Sequence, residues 1–139
     1  MSERNKAVIR KLNDGFWGRR DVKVFDEVFA DSYVDHTPLP GTVGTKEGFR
    51  VAALGFQAAL SDTRATINGI VAEGDKVTWR WTLRGTMTGS FMGFPPTGKQ
   101  IVLTGITLDR VVNGQIVERW SQADSLGMMQ QLGAIPSQG

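Results

Sequence analysis

Gln115-Ile116-Val117-Glu118-Arg119-Trp120-Ser121-Gln122-Ala123-Asp124, with Ser125 to Leu132 behind it, is the stretch on which the fold turns. It reads as one strand running into a short helix. A strand sends alternate side chains to opposite faces. Ile116, Glu118, Trp120, Gln122 and Asp124 therefore share one face, and Val117, Arg119, Ser121 and Ala123 the other. Two carboxylates, an indole and an amide on one face suit the wall of a ligand-holding cavity. They also suit a wet sheet end carrying a lone core aromatic, because carboxylates are mostly exposed.

The pattern extends backwards from there. Asn113-Gly114 is a two-residue hairpin signal, so Gln100 to Val112 reads as the antiparallel partner. Arg64 to Ala72 and Lys76 to Arg84 alternate with period two on either side of the turn Glu73-Gly74-Asp75. In the second of them Val77, Trp79, Trp81 and Leu83 share a face, and Thr78, Arg80, Thr82 and Arg84 share the other. Sequential strands tend to neighbour one another, so an antiparallel meander follows.

Three helical patterns come first. Ser2 can cap a helix from Glu3 to about Gly18 with Val8, Ile9, Leu12 and Phe16 on one face. Asp21 caps a second, with Val24, Phe25, Val28 and Phe29 inward. Thr45 caps a third, whose stripe of Phe49, Ala52, Ala53, Phe56, Ala59 and Leu60 ends at Leu60-Ser61-Asp62. Its alanines suit close packing on a sheet. Between the second and third helices, Tyr33-Val34-Asp35-His36 is a short extended piece stopped by Pro38 and Pro40. Helices first and strands after make a segregated α+β domain the expected class.

With 139 residues the chain is of single-domain size, 1–139. It has no cysteine, which excludes disulfides, thiol nucleophiles and cysteine metal sites. The net charge is +2, and the 16 basic residues are scattered among 14 acidic ones, so nothing resembles a nucleic-acid footprint. No apolar run approaches the roughly 18 residues of a membrane span, and Glu3, Arg4, Lys6, Arg10 and Lys11 interrupt any signal-peptide core. A soluble, cytoplasmic domain is expected, with no metal and no cofactor.

Gly93-Phe94-Pro95-Pro96-Thr97-Gly98-Lys99-Gln100 is close to a phosphate-binding loop, but Gln100 stands where a magnesium-holding hydroxyl is needed and two prolines remove amide donors. There is no Gly-x-Ser-x-Gly elbow. What remains is proton transfer by a carboxylate. A free aspartate, with a pKa near 3.9, is too acidic to be an efficient base at neutral pH, and an apolar pocket raises it. Trp120, Leu126, Met128 and Met129 could build such a pocket around Asp124. His36, the chain's one histidine, is either a proton carrier or a ring satisfied by the adjoining turn. Phe16 or Trp17 could line the same pocket.

Tyr33-Val34-Asp35-His36-Thr37-Pro38, the run Gly85-Thr86-Met87-Thr88-Gly89, Phe91 to Lys99 and Glu118 to Asp124 together resemble the SnoaL-like polyketide cyclases, also known as ester cyclases. The resemblance implies the nuclear-transport-factor-2-like fold, a cone-shaped α+β barrel in which a curved antiparallel sheet and three N-terminal helices enclose a pocket. It also implies a homodimer packed through the sheets. Such cyclases close a ring by intramolecular aldol condensation with one aspartate as acid/base, which by position corresponds to Asp124. His36 matches a histidine common in the family and joins Asp124 as the expected catalytic pair. Arg110 falls at a polar pocket position. Glu118, Trp120 and Gln122 are expected to contact substrate with it, as are Tyr33, Phe16, Phe49 and Met87.

Two departures from the family pattern stand out. Met87 replaces a histidine that many relatives carry, which removes a second proton carrier, and Ser61 replaces a proline. The expectation is a cyclase or isomerase acting on a flat, apolar, aromatic or polyketide-like molecule. The alternative is a non-catalytic small-molecule binder of the same fold. Epoxide hydrolysis would need aspartates, arginine and asparagine around a water, a set not assembled here. For assembly, Thr78, Arg80, Thr82 and Arg84 with Val117, Arg119, Ser121 and Ala123 are expected on the convex side, with Arg80 and Arg119 at the dimer contact.

Overall fold

The computed structural model describes residues 2–39, 41–91 and 93–133. Helix α1, Ser2–Lys11, runs into a π-helical segment, Leu12–Gly18; α2, Val22–Val28, leads directly into β1, Phe29–Asp35. Helix α3, Lys46–Ala59, precedes β2, Arg64–Glu73, β3, Lys76–Thr86, β4, Gln100–Val112, and β5, Gln115–Ala123; α4, Ser125–Leu132, follows. The caps are those expected from their chemistry. Asp21 accepts from the Lys23 amide at 3.0 Å and Thr45 from that of Gly48 at 3.1 Å. Asn113 and Gly114 both take positive φ, 51° and 78°, as the tight hairpin turn requires. The first helix does not stay α-helical to Gly18: from Leu12 it widens, and the Arg19 amide reaches the Asp14 carbonyl five residues back at 3.1 Å.

The five strands form one curved, open sheet in the order β1-β5-β4-β3-β2. β2 to β5 are the antiparallel meander, and β1, the extended piece before Pro38, adds to β5 in parallel. The helices cover the concave face. One core cluster joins Ile9, Leu12, Phe16, Phe25 and Phe29 to Val77 and Trp79 of the sheet. A second joins Phe56, Leu60 and Met87 to Leu103, Met128 and Leu132. This is the nuclear-transport-factor-2-like α+β fold.

The register of β5 departs from strict alternation. Ile116 pairs with Val111 and Glu118 with Arg110, so Val117 is left as an extra residue. Such a bulge lets one strand change the face its side chains present. Ile116 is buried, and beyond the bulge Arg119, Ser121 and Ala123 face the concave side, in register with Asp109, Thr107 and Gly105 of β4. Glu118, Trp120 and Gln122 are turned to the convex side. The two faces of β5 are therefore exchanged relative to the alternation counted from Ile116. In β3 the expected faces hold, with Val77, Trp79 and Leu83 buried inside and Arg80 exposed outside.

Candidate functional site

Between the concave face and the helices lies a cavity of about 130 Å³, similar in scale to an engineered apolar cavity of about 150 Å³ that admits benzene. Trp79, Trp81 and Leu83 of β3 form its floor, with Phe49 and Phe56 of α3 and Trp17 of the π-helical segment among its walls. Gly105 of β4 makes room for the floor: a methyl group there would overlap the Trp81 ring. The bend Thr37–Leu39, with Thr42 and Val43, forms a rim.

The polar groups are few and, apart from Asn13 on the β2 side, lie towards the β1-β5-β4 side. Arg119 is buried and donates to both oxygens of the fully buried Asp109, at 2.6 and 2.9 Å, and Trp79 Nε1 donates to Asp109 Oδ2 at 3.0 Å. The guanidinium lies 5.1 Å from the ring centres of Phe29 and Phe49. Burial alone would make this guanidinium easier to deprotonate; the Asp109 carboxylate foremost, with Asp35, reverses that and holds it charged. Asp35 is paired in register with Arg119 and is the one carboxylate lining the cavity among the described residues. Its Oδ1 accepts from the Thr37 amide at 2.9 Å. Beside it the buried Tyr33 hydroxyl has no hydrogen-bond partner among the described residues. Burial pushes this phenol well above its usual range; Arg119 opposes the push, and Asp35 and Asp109 add to it. A neutral chain completes the wall: Trp81 Nε1 donates to Thr107 Oγ1 at 2.9 Å, and Thr107 shares a 2.8 Å hydrogen bond with Ser121.

The residues singled out from sequence divide sharply by place. Phe49 lines the cavity. Phe16 and Tyr33 are packed in the first core cluster, and Met87 is in the second, against Leu60 and Ile101 rather than the cavity. Glu118, Trp120 and Gln122 lie on the convex face, where the bulge turns them away from the cavity, and Arg110 lies there by the regular alternation of β4. There His36 accompanies them: it stacks on Trp120, ring centres 4.5 Å apart, and its Nε2 meets Glu118 Oε2 at 2.9 Å. Arg110 Nε donates to Glu118 Oε1 at 2.6 Å. The His36 and then the Arg110 hydrogen bond hold the Glu118 carboxyl below its usual range. Asp124 is exposed and caps α4, accepting from the Gly127 amide at 2.9 Å. Arg119, expected outside at a dimer contact, is the buried cation of the cavity. The groups that sequence reasoning passed over are Asp35, Arg119 and Asn13 as cavity residues. A signal was available for Asp35, which is two residues from Tyr33 and so on its face.

The family model for SnoaL-like polyketide cyclases matches residues 7–132. Among solved structures, the chain is similar to wild-type IdmH of Streptomyces antibioticus, described as a candidate polyketide cyclase, with 35% identity over 93% of this chain and 98% of that one, and a TM-score of 0.80. A candidate polyketide cyclase of Bacillus cereus is 26% identical over 95% of this chain and 82% of that one, with a TM-score of 0.81. AclR of Streptomyces galilaeus, described as a candidate hydroxylase, is 24% identical over 99% and 85% of the two chains, with a TM-score of 0.88, a likeness of fold alone. No curated protein matches the chain.

Proposed function

Because the chain belongs to the SnoaL-like polyketide cyclase family, we propose that it is a cyclase-type enzyme whose chemistry is run by Asp35 and Arg119 in the cavity, on a flat apolar substrate and without a cofactor. The observation that carries this reading is the register of β1 on β5, which sets Asp35, the cavity's carboxylate, opposite Arg119, whose buried guanidinium is itself held by Asp109. Asp35 removes a proton from the carbon beside a substrate carbonyl, and Arg119 holds the enolate oxygen that results. The enolate carbon adds to a second carbonyl of the same molecule. A carbon–carbon bond forms, the carbonyl π bond opens, and the proton on Asp35 passes to the new alkoxide. A positioned acid/base contributes about 10²–10⁴ in rate, and fixed charge at the oxyanion adds to it. In this reading no step falls to Asp124, which caps α4, or to His36, which packs on the convex face.

The test is deuterium uptake by 2-tetralone, a bicyclic ketone, at its acidic carbon in heavy water. The protein should accelerate uptake over buffer, and Asp35→Asn should remove about 99% or more of that acceleration. Acceleration that survives Asp35→Asn sinks the assignment. Non-catalytic binding is the second reading, favoured by the neutral Trp81–Thr107–Ser121 chain, which can orient a ligand without moving a proton.

A homodimer through the convex face belongs to the same proposal. Trp120 and Ile106 are 36% and 48% exposed there, with Val71 and Val34 also exposed. Arg80, Arg110 and Glu118 would form a polar rim around this apolar patch. The cytoplasm is the compartment proposed; among the described residues no helix is long and apolar enough to cross a membrane.

A further inference from the structure

Asn13 is the second residue of the π-helical segment and lines the cavity, yet it is only 8% exposed. Its Nδ2 donates to the Ala65 carbonyl of β2 at 3.1 Å and to Asp14 Oδ1 at 3.4 Å. Both partners are acceptors, so the amide cannot be turned around without setting oxygen against oxygen. The orientation is thereby fixed, and Oδ1 is left buried with no donor among the described residues. A buried acceptor without a donor is costly, and in a cavity wall it is a place where a ligand's donor is worth more than elsewhere.

The position of this acceptor matters as much as its vacancy. Asn13 is tied to β2, one edge of the sheet, while Asp35 is on β1, the opposite edge. Between them the floor is Trp79 and Trp81. We propose that Asn13 is a specificity-determining residue that accepts a hydrogen bond from a phenolic hydroxyl of an aromatic ligand, at the end of the molecule remote from Asp35. The proposal deepens the reading of the cavity above and rests on it. The widened helix has a purpose in this account: it brings the Asn13 amide to β2 and the Trp17 ring to the same wall, and such π segments recur at functional sites. A site built to pair a hydroxyl discriminates strongly against a ligand that lacks one, because the partner is then left unpaired.

The experiment compares 2-naphthol with 2-methoxynaphthalene, in which a methyl group replaces the hydroxyl hydrogen, by titration calorimetry. Wild-type protein should bind 2-naphthol at least about tenfold more tightly, and Asn13→Leu should bring the two affinities within about twofold of each other. Equal binding of both probes by the wild type overturns the assignment of Asn13 and leaves the proposed function standing. Binding of neither probe overturns both. A preference that persists in Asn13→Leu gives the hydroxyl to another group and also overturns the assignment. If Asn13→Leu does not fold, the side-chain amide signals of Asn13 in the wild type decide: they should shift on addition of 2-naphthol and not of 2-methoxynaphthalene, and an equal shift with both refutes the proposal.

Discussion

Arg119 grips both carboxylate oxygens of Asp109 from the neighbouring strand, at 2.6 and 2.9 Å, with both residues buried under the helices. The pair is also a structural commitment, since each ion is stable there only in the presence of the other. Removing one partner from a buried ion pair typically costs about 3–5 kcal/mol, while replacing both by apolar residues can be close to neutral. Arg119→Met should therefore lower stability by about that amount in urea unfolding, and Arg119→Met with Asp109→Leu should recover most of it. A double variant as unstable as the sum of its single changes would show that the two residues act independently.

Gly105 tests the floor of the cavity. A side chain there must displace the Trp81 indole, which the Thr107 hydroxyl holds at 2.9 Å. Overpacking of this kind costs about 1–3 kcal/mol. Gly105→Ala is expected to destabilise by that order, to alter the tryptophan fluorescence, and to weaken binding of 2-naphthol. Binding and fluorescence both unchanged would mean that Trp81 is not confined by Gly105.

Much of this architecture was legible in the residues. Period-two alternation located β2 to β5, and the capping chemistry of Asp21 and Thr45 located two helices, because both signals are local. The cavity wall was not legible, for a reason confined to one residue. Val117 is unpaired between Ile116 and Glu118, and counting alternate residues across it places Glu118 and Trp120 inside when they are outside. Nothing in Ile-Val-Glu announces a bulge, which is set by pairing with β4. The same applies to β1: a seven-residue strand seen only as a short extended piece acquires its meaning from a parallel partner more than 80 residues later. The family resemblance placed the acid/base at Asp124 by position in the final strand, whereas that carboxylate is used in capping α4.

The convex cluster carries a pH signature. Glu118 has its carboxyl pKa held down by hydrogen bonds from His36 and Arg110. A depressed folded-state pKa means that the unfolded chain binds more protons in the acid range, so stability rises with pH there. The contribution is complete above the ordinary glutamate pKa of about 4.3 and is lost as pH falls through the lower folded value. Glu118→Gln should therefore flatten the dependence of Tm on pH below about 4.3 while changing it little near neutrality. An acid limb identical to that of the wild type would remove Glu118 from the account.

Assembly can be tested on the same face. The His36–Trp120 stack, 4.5 Å between ring centres, stiffens an exposed aromatic beside Ile106 and Val34. Large apolar side chains held on an exposed sheet face mark an interaction surface, and two-fold homodimers are the commonest soluble oligomers. A contact of standard size, about 1,200–2,000 Å² in total, would cover this patch and leave Arg80 and Arg110 at its rim. The buried Arg119 is not available to it. Trp120→Glu with Ile106→Glu should convert a dimer into a folded monomer at micromolar concentration, because two carboxylates per subunit would face each other across a desolvated seam. Sedimentation equilibrium reads the outcome directly. A wild-type species at the 15.2 kDa chain mass would end the dimer proposal, and a double variant that remains dimeric would place the interface on some other surface.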